Sequence, residues 1–214
     1  SLRENERVTT TVAIDEFDAT RSFLMVTKKG VIKKTLISAY SRPQKGGIIG
    51  INLRKRDKLI KVLLVEENQD VVLSTKQGKA IHFSEKDIRP TGRASIGVKG
   101  ISLNEDDEIR DAVIAEENLS LLAITSKGYG KRTLFSKYRK TKRGGKGVIN
   151  IRLSIHKGAV VGAKKVSEDD EILVITKNGK SIRLAVKGVS LMGRATSGLR
   201  LIRLDKDDEV IALT

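Results

Sequence analysis

The chain of 214 residues carries 42 Lys and Arg against 26 Asp and Glu, a formal charge of +16, and is long enough for one large domain or a stack of repeats with a core. The absence of cysteine excludes disulfides, thiolate metal sites and cysteine catalysis and fits a reducing compartment. No apolar run approaches the ~18 residues of a membrane helix, and so large an excess of cations points to a polyanionic partner, nucleic acid before an anionic membrane surface.

In chain order, residues 1–19 ("SLRENERVTTTVAIDEFDA") are no signal peptide and lack a starting Met. They hold one expected strand, "RVTTTVAI" (7–14), which reads as the end of a repeat rather than its start. Four segments on one plan follow: "FLMVTKKGVIKKT" (23–35), "VVLSTKQGKAIHF" (71–83), "LLAITSKGYGKRT" (121–133) and "ILVITKNGKSIRL" (172–184). Each is a β-branched apolar run, a polar turn ending in Gly, and a second run bearing cations. That predicts a β-hairpin, with Gly30, Gly78, Gly128 and Gly179 supplying the positive φ of the turn. The first and third segments superpose at an offset of 98, placing Gly30 on Gly128, Lys34 on Arg132 and Tyr40 on Tyr138. The second and fourth superpose at 101, placing Gly92-Arg93-Ala94 on Gly193-Arg194-Ala195. The pattern is A-B-A-B.

Sustained helical periodicity is absent, so the fold class is all-β. We divide residues 1–214, a single domain, into a tail (1–19) and four repeats (20–66, 67–117, 118–168 and 169–214), each an antiparallel unit of about four short strands. Units that small must stack to bury their apolar faces, and ~50-residue repeats of several strands suggest propeller-like blades. Phe23, Phe83 and Phe135 are expected in the core.

Charge follows the alternation. Residues 20–66 hold 12 cations and 2 acids, and residues 118–168 hold 13 and 1; residues 67–117 hold 7 and 11, and residues 169–214 hold 8 and 7. A merely solvated surface would mix the signs throughout.

The stretch "KTKRGGKGVINI" (140–151) tests two readings. A nucleotide P-loop needs G-x-x-x-x-G-K-[ST] between strand and helix, but Lys146 precedes Gly147 and "VINIRL" alternates like a strand. The stretch is instead a glycine turn in which Gly144, Gly145 and Gly147 allow close approach and Lys140, Lys142, Arg143 and Lys146 supply charge to phosphates; the alternative is an ordinary hairpin tip with solvated lysines. Its counterpart "SRPQKGGIIG" (41–50) keeps Arg42 and Lys45. Further candidate contacts are Lys33-Lys34 and Lys131-Arg132 just after the hairpin turns, and Arg93, Lys99, Arg194 and Arg200 as weaker sites. The acidic turns "NEDDE", "SEDDE" and "DKDDE" lack the pattern of a calcium loop and are expected to be solvated turns facing away from a polyanion. His82 and His156 sit in unmatched contexts, so no catalytic and no metal site is expected.

Seven aromatics are too few for base-stacking platforms, and no recognition helix is in sight. Duplex nucleic acid, bent around a cationic rim and read by charge and deformability, fits best.

"VTKKGVIKKTLISAYSR", "SIGVKGISL", "SKGYGKRTLFSKY", "KGVINIRL" and "LMGRATSGLRLIRL" together resemble the C-terminal DNA-wrapping domain of the bacterial DNA gyrase A protein, over essentially the whole chain. The run Gly128 to Thr133 is the most specific of these. The resemblance implies a β-pinwheel of four-stranded blades, of which these are the last four. Duplex DNA would be wrapped on the perimeter and presented for strand passage and negative supercoiling. It also implies a non-catalytic part of an ATP-dependent type IIA topoisomerase with no cofactor in this chain, ATP and Mg being used elsewhere. Its partners would be duplex DNA, the remainder of the gyrase A protein and the gyrase B protein, with no membrane, in the bacterial cytoplasm at the nucleoid. Residues 141–147 match the family's Q-R-R-G-G-K-G box at five of seven positions, although in the family that box stands in the first blade. Alternatives are the equivalent domain of topoisomerase IV and, more distantly, a basic propeller binding an acidic protein or RNA.

Overall fold

The structure is a computed structural model that describes residues 6–214. Its strands are β1 (Ser22–Thr27), β2 (Val31–Leu36), β3 (Leu59–Val65), β4 (Asp70–Thr75), β5 (Lys79–Ser84), β6 (Val98–Lys99), β7 (Ile109–Ala115) and β8 (Ser120–Thr125). β9 (Tyr129–Leu134), β10 (Val148–Ile149), β11 (Val160–Val166), β12 (Glu171–Thr176), β13 (Ser181–Ala185), β14 (Leu199–Arg200) and β15 (Val210–Leu213) complete them. They form four sheets with the orders β3-β1-β2-β6, β10-β5-β4-β7, β11-β8-β9-β14 and β13-β12-β15, every pairing antiparallel.

The four hairpins stand where the sequence places them. Their turn glycines, Gly30, Gly78, Gly128 and Gly179, have φ of 76° to 81°, a region open to Gly at no steric cost. A second device emerges only from the fold. Three residues before each glycine stands a buried Thr: Thr27, Thr75, Thr125 and Thr176. Each Thr Oγ1 accepts the backbone N–H of the residue after the glycine, Val31, Lys79, Tyr129 and Lys180, at 3.1–3.3 Å. The hydroxyl pairs the amide that closes the turn, so T-x-x-G is the local signature of every hairpin.

The sheets are out of step with the sequence repeats. β6 pairs with β2, β10 with β5 and β14 with β9, so the outer strand of each of the first three sheets comes from the following repeat. The loop that delivers it crosses the preceding hairpin at a glycine: Gly97, Gly147 or Gly198, with φ of 99°, 69° and 69°. A Cβ at these positions would lie 2.4–2.6 Å from the carbonyl oxygen of Ile32, Ala80 or Gly130. Two corrections follow. The fourth sheet has three strands rather than four, because no described segment pairs with the outer edge of β13. Residues 7–14, expected to form a strand, form none, because they have no ladder partner. Past them, Asp18 ties the segment to β1 by accepting the amides of Thr20 and Arg21 and pairing with the Arg21 guanidinium.

Period-two alternation sends successive residues of a strand to opposite faces; on β4 and β8 both faces are buried between stacked sheets, whereas on β12 and β13 one face is exposed. On β4, Val71 and Leu73 enter a core shared with Leu24, Ile32, Phe83 and Ile101, while Val72 enters one shared with Leu121, Phe135 and Tyr138. On β8, Leu122 and Ile124 face a third core built with Val174, Val186 and Val210. Phe23 lies half-buried, edge-on to Tyr40 at 5.2 Å.

We expect Gly147→Ala to destabilise the chain by at least ~1 kcal/mol in urea denaturation, because the Cβ meets a carbonyl at a positive φ. Gly46→Ala, where the space is open and φ is not positive, should cost little.

Candidate nucleic-acid interface

The glycine-rich loops that carry the exchanged strands also touch one another. The amide of Asn52 donates to Ser95 O at 3.1 Å, that of Ser102 to Gly145 O at 2.8 Å, and that of Arg152 to Thr196 O at 2.9 Å. These links recur at equivalent positions and chain the loops of all four repeats into one ribbon along the outer sheet edges. Side chains reinforce it: Asn52 Nδ2 donates to Ala94 O at 2.7 Å, Ser102 Oγ to Gly144 O at 2.8 Å, and Arg194 Nη1 to Ile149 O at 3.1 Å.

Cations read together in the sequence separate into two groups on this ribbon. Arg42, Lys45, Lys99, Lys140, Lys142, Lys146 and Arg200 are exposed, and Arg93 and Arg194 are half-buried. Lys140 is partly neutralised by Asp70 at 2.6 Å. Arg143 spends its guanidinium on structure, donating to Asp87 O at 2.9 Å and Lys99 O at 3.0 Å. In residues 141–147 the charges free to meet a phosphate are therefore Lys142 and Lys146, while Gly144, Gly145 and Gly147 seat the loop on the neighbouring repeat.

Lys33, Lys34, Lys131 and Arg132 are corrected. Lys33 and Lys131 are 1% and 0% exposed, too buried to touch a ligand. Lys33 Nζ donates to Gly50 O at 2.5 Å and to Arg93 O. Lys131 Nζ donates to Thr133 Oγ1, Gly193 O and Arg194 O at 2.7–2.9 Å. Lys34 is locked in a buried ion pair with Glu85, and Arg132 binds Val189 O at 2.8 Å and Glu168 at 3.0 Å. All four lie on the second strand of an A hairpin and reach carbonyls or acids at or beyond the junction with the next repeat. Where the A hairpins have Lys33 and Lys131, the B hairpins have Ile81 and Ile182; no sequence signal separates a cation that latches a carbonyl from one that faces water. Burial, and secondarily the neighbouring Arg93 or Arg194, lowers the ammonium of each of these two lysines to about 8.

The acidic turns are corrected as well. Asp57, Asp107 and Asp208 are hairpin caps: each carboxylate accepts the amide of Lys29, Gln77 or Asn178 at 2.9–3.0 Å, and Asp57 and Asp208 are buried. Burial pushes the Asp208 carboxyl up, but Thr176 and the Asn178 and Glu209 amides outweigh it and hold it below the usual range. Asp170 caps the "SEDDE" turn through the Ser167 amide at 2.7 Å. Nothing in the sequence signals a cluster around Tyr129. There Lys157 Nζ sits 4.9 Å and the Arg200 guanidinium 5.3 Å from the ring centroid, and Arg200 Nη2 donates to the phenol oxygen at 2.8 Å.

Comparison with known proteins identifies the family. The family model of the DNA gyrase C-terminal domain, beta-propeller, matches residues 21–66, 69–116, 120–167 and 170–214. The chain is 47% identical over 212 residues to the DNA gyrase A protein of Clostridium acetobutylicum, covering 99% of this chain and 26% of that protein. It is 40% identical over 213 residues to the corresponding protein of Lawsonia intracellularis, covering 98% and 26%. The chain thus spans about a quarter of the length of the curated relatives it matches. Among solved structures it is similar to a DNA gyrase A C-terminal domain, with a TM-score of 0.83 and 32% identity over 92% of this chain and 66% of that one. It is also similar to the C-terminal domain of DNA topoisomerase IV, with a TM-score of 0.88 and 25% identity over 94% and 63%.

The folded lysines titrate near 8 and unfolded ones near 10.4, so between those values the unfolded chain binds more protons and stability rises with pH. Urea unfolding of the unaltered chain should show this rise, and Lys33→Met/Lys131→Met should flatten it. Removing the exposed Lys142 and Lys146 should leave unfolding nearly unchanged, within about 0.5 kcal/mol.

Proposed function

The chain belongs to the DNA gyrase C-terminal domain family, and from that premise we propose that it is a non-catalytic module that binds, bends and wraps duplex DNA on its outer rim. The observation that carries this reading is the continuous ribbon of glycine loops with solvent-facing Arg42, Lys45, Lys99, Lys142, Lys146 and Arg200. Cations spaced along a hydrogen-bonded ribbon suit a phosphate backbone followed over several turns, where affinity comes from counterion release and sequence enters through deformability.

Within a longer polypeptide, such a module would hold a DNA segment against the strand-passing core of a type IIA topoisomerase. The rest of the gyrase A protein and the gyrase B protein would be its partners, ATP and Mg would be used outside this chain, and the bacterial cytoplasm would be its compartment. A second reading, the equivalent domain of topoisomerase IV, is favoured by the likeness to that solved structure at a TM-score of 0.88. Trapping of supercoils in closed circular DNA relaxed in the chain's presence separates the two: trapped supercoils support the gyrase reading, and binding without them the other.

If ~8 phosphates are neutralised, the slope of log affinity against log salt should be about −7 for duplex DNA. A flat response in a filter-binding or anisotropy titration would remove the backbone-contact reading. Lys142→Ala/Lys146→Ala should weaken binding and shallow the slope by about 2.

A further inference from the structure

The turn before β11 departs from its three counterparts. In repeats one, two and four this turn holds the buried or half-buried carboxylate, Asp57, Asp107 or Asp208, that caps the hairpin. In repeat three it reads "SIHKG" (154–158), and no carboxylate is present. Gly158 takes its place at φ 70°, pressed against the hairpin so that a Cβ would lie 2.2 Å from Ser126 Oγ. The turn projects Ile155, which is 95% exposed, the highest value among the exposed large hydrophobic side chains.

Ile155 is framed by basic side chains. His156 follows it, exposed, and Lys157 reaches from the same turn over the Tyr129 ring and to Ser197 O at 3.5 Å. Arg200 lies against the same ring. Asp205, Asp207 and Asp208 border this groove together with Lys127 and Arg203; Asp205 is paired with Lys180, Asp208 is engaged as the hairpin cap, and Asp207 is exposed. An apolar side chain that buries nothing in the folded protein, flanked by groups suited to phosphates, has the form of a wedge. Proteins that kink DNA insert Ile, Leu, Phe or Met between base steps in this way.

Resting on the duplex-binding reading above, the geometry points to Ile155 as an apolar wedge that enters between base pairs where the DNA passes the third repeat. Lys157 and Arg200 hold the flanking phosphates. The rim then bends DNA unevenly: smoothly along the glycine loops and sharply at this turn, with flexible pyrimidine–purine steps preferred there.

The test uses a ~150 bp duplex, about one persistence length, carrying end-to-end FRET dyes and, in a second version, 2-aminopurine placed at successive TA steps. With the unaltered chain we expect salt-sensitive shortening and a rise in 2-aminopurine fluorescence at one step. Ile155→Ala should abolish the fluorescence rise and reduce the shortening, with the salt slope of binding unchanged because no phosphate contact is lost. Ile211→Ala, at an exposed position on β15, is the control and should do neither. Full shortening and an undiminished fluorescence rise with Ile155→Ala would overturn the wedge and leave duplex binding standing. Absence of salt-sensitive binding by the unaltered chain would instead remove the duplex-binding reading, and the wedge with it.

Discussion

The structure depends on one constraint: each of the second, third and fourth repeats completes the sheet of the repeat before it. A unit of three strands and ~50 residues has too little apolar surface to stand alone, and exchanging the fourth strand joins neighbours through backbone ladders as well as stacked cores. The exchange is possible only because Gly97, Gly147 and Gly198 let one backbone lie directly on another. The glycine-rich loops are therefore structural before they are functional, and the ribbon presented to solvent follows from the way the sheets are closed.

The same constraint explains the use of cations. Wherever an exchanged loop settles on an A hairpin, its carbonyls point at the hairpin face, and Lys33 or Lys131 meets them. Burying an ammonium costs several kcal/mol, and the two hydrogen bonds of Lys33 or three of Lys131, all from a charged donor, contribute ~1.5–3 kcal/mol each. The two terms are of similar size, which accords with ammonium groups that still titrate near 8 rather than staying neutral throughout. On the one B hairpin that receives an exchanged strand, Ile81 stands where the A hairpins have lysine, and its Cδ1 lies beside Gly145 of the incoming loop. The A-B alternation of the sequence is thus an alternation of junction chemistry as much as of surface charge.

Charge that is not consumed at junctions remains on the rim. Lys142 and Lys146 are left exposed because Arg143, between them, is anchored to the preceding repeat and holds the loop in place. The resulting surface is hydrogen-bonded in its backbone and exposed at its charged tips, a combination suited to a uniform polyanion and poorly suited to reading bases by hydrogen bonds.

The sequence by itself determined the all-β class, the four hairpins and their turn glycines, the alternation of repeat types and the family, because each is written in local pattern: period-two burial, a glycine at a fixed place, matched spacings of 98 and 101. It also marked the glycine loops as the place where cations gather. Tertiary structure alone decided which repeat supplies the outer strand of each sheet, since Val98-Lys99 pairs with residues more than sixty positions away and nothing in either segment names the other. For the same reason it alone separated Lys131 from Lys142 and turned Asp208 from a solvated acid into a cap. A side chain's chemistry is fixed by its residue type, but whether it meets water, a carbonyl or a neighbouring amide is fixed by what distant chain is folded against it.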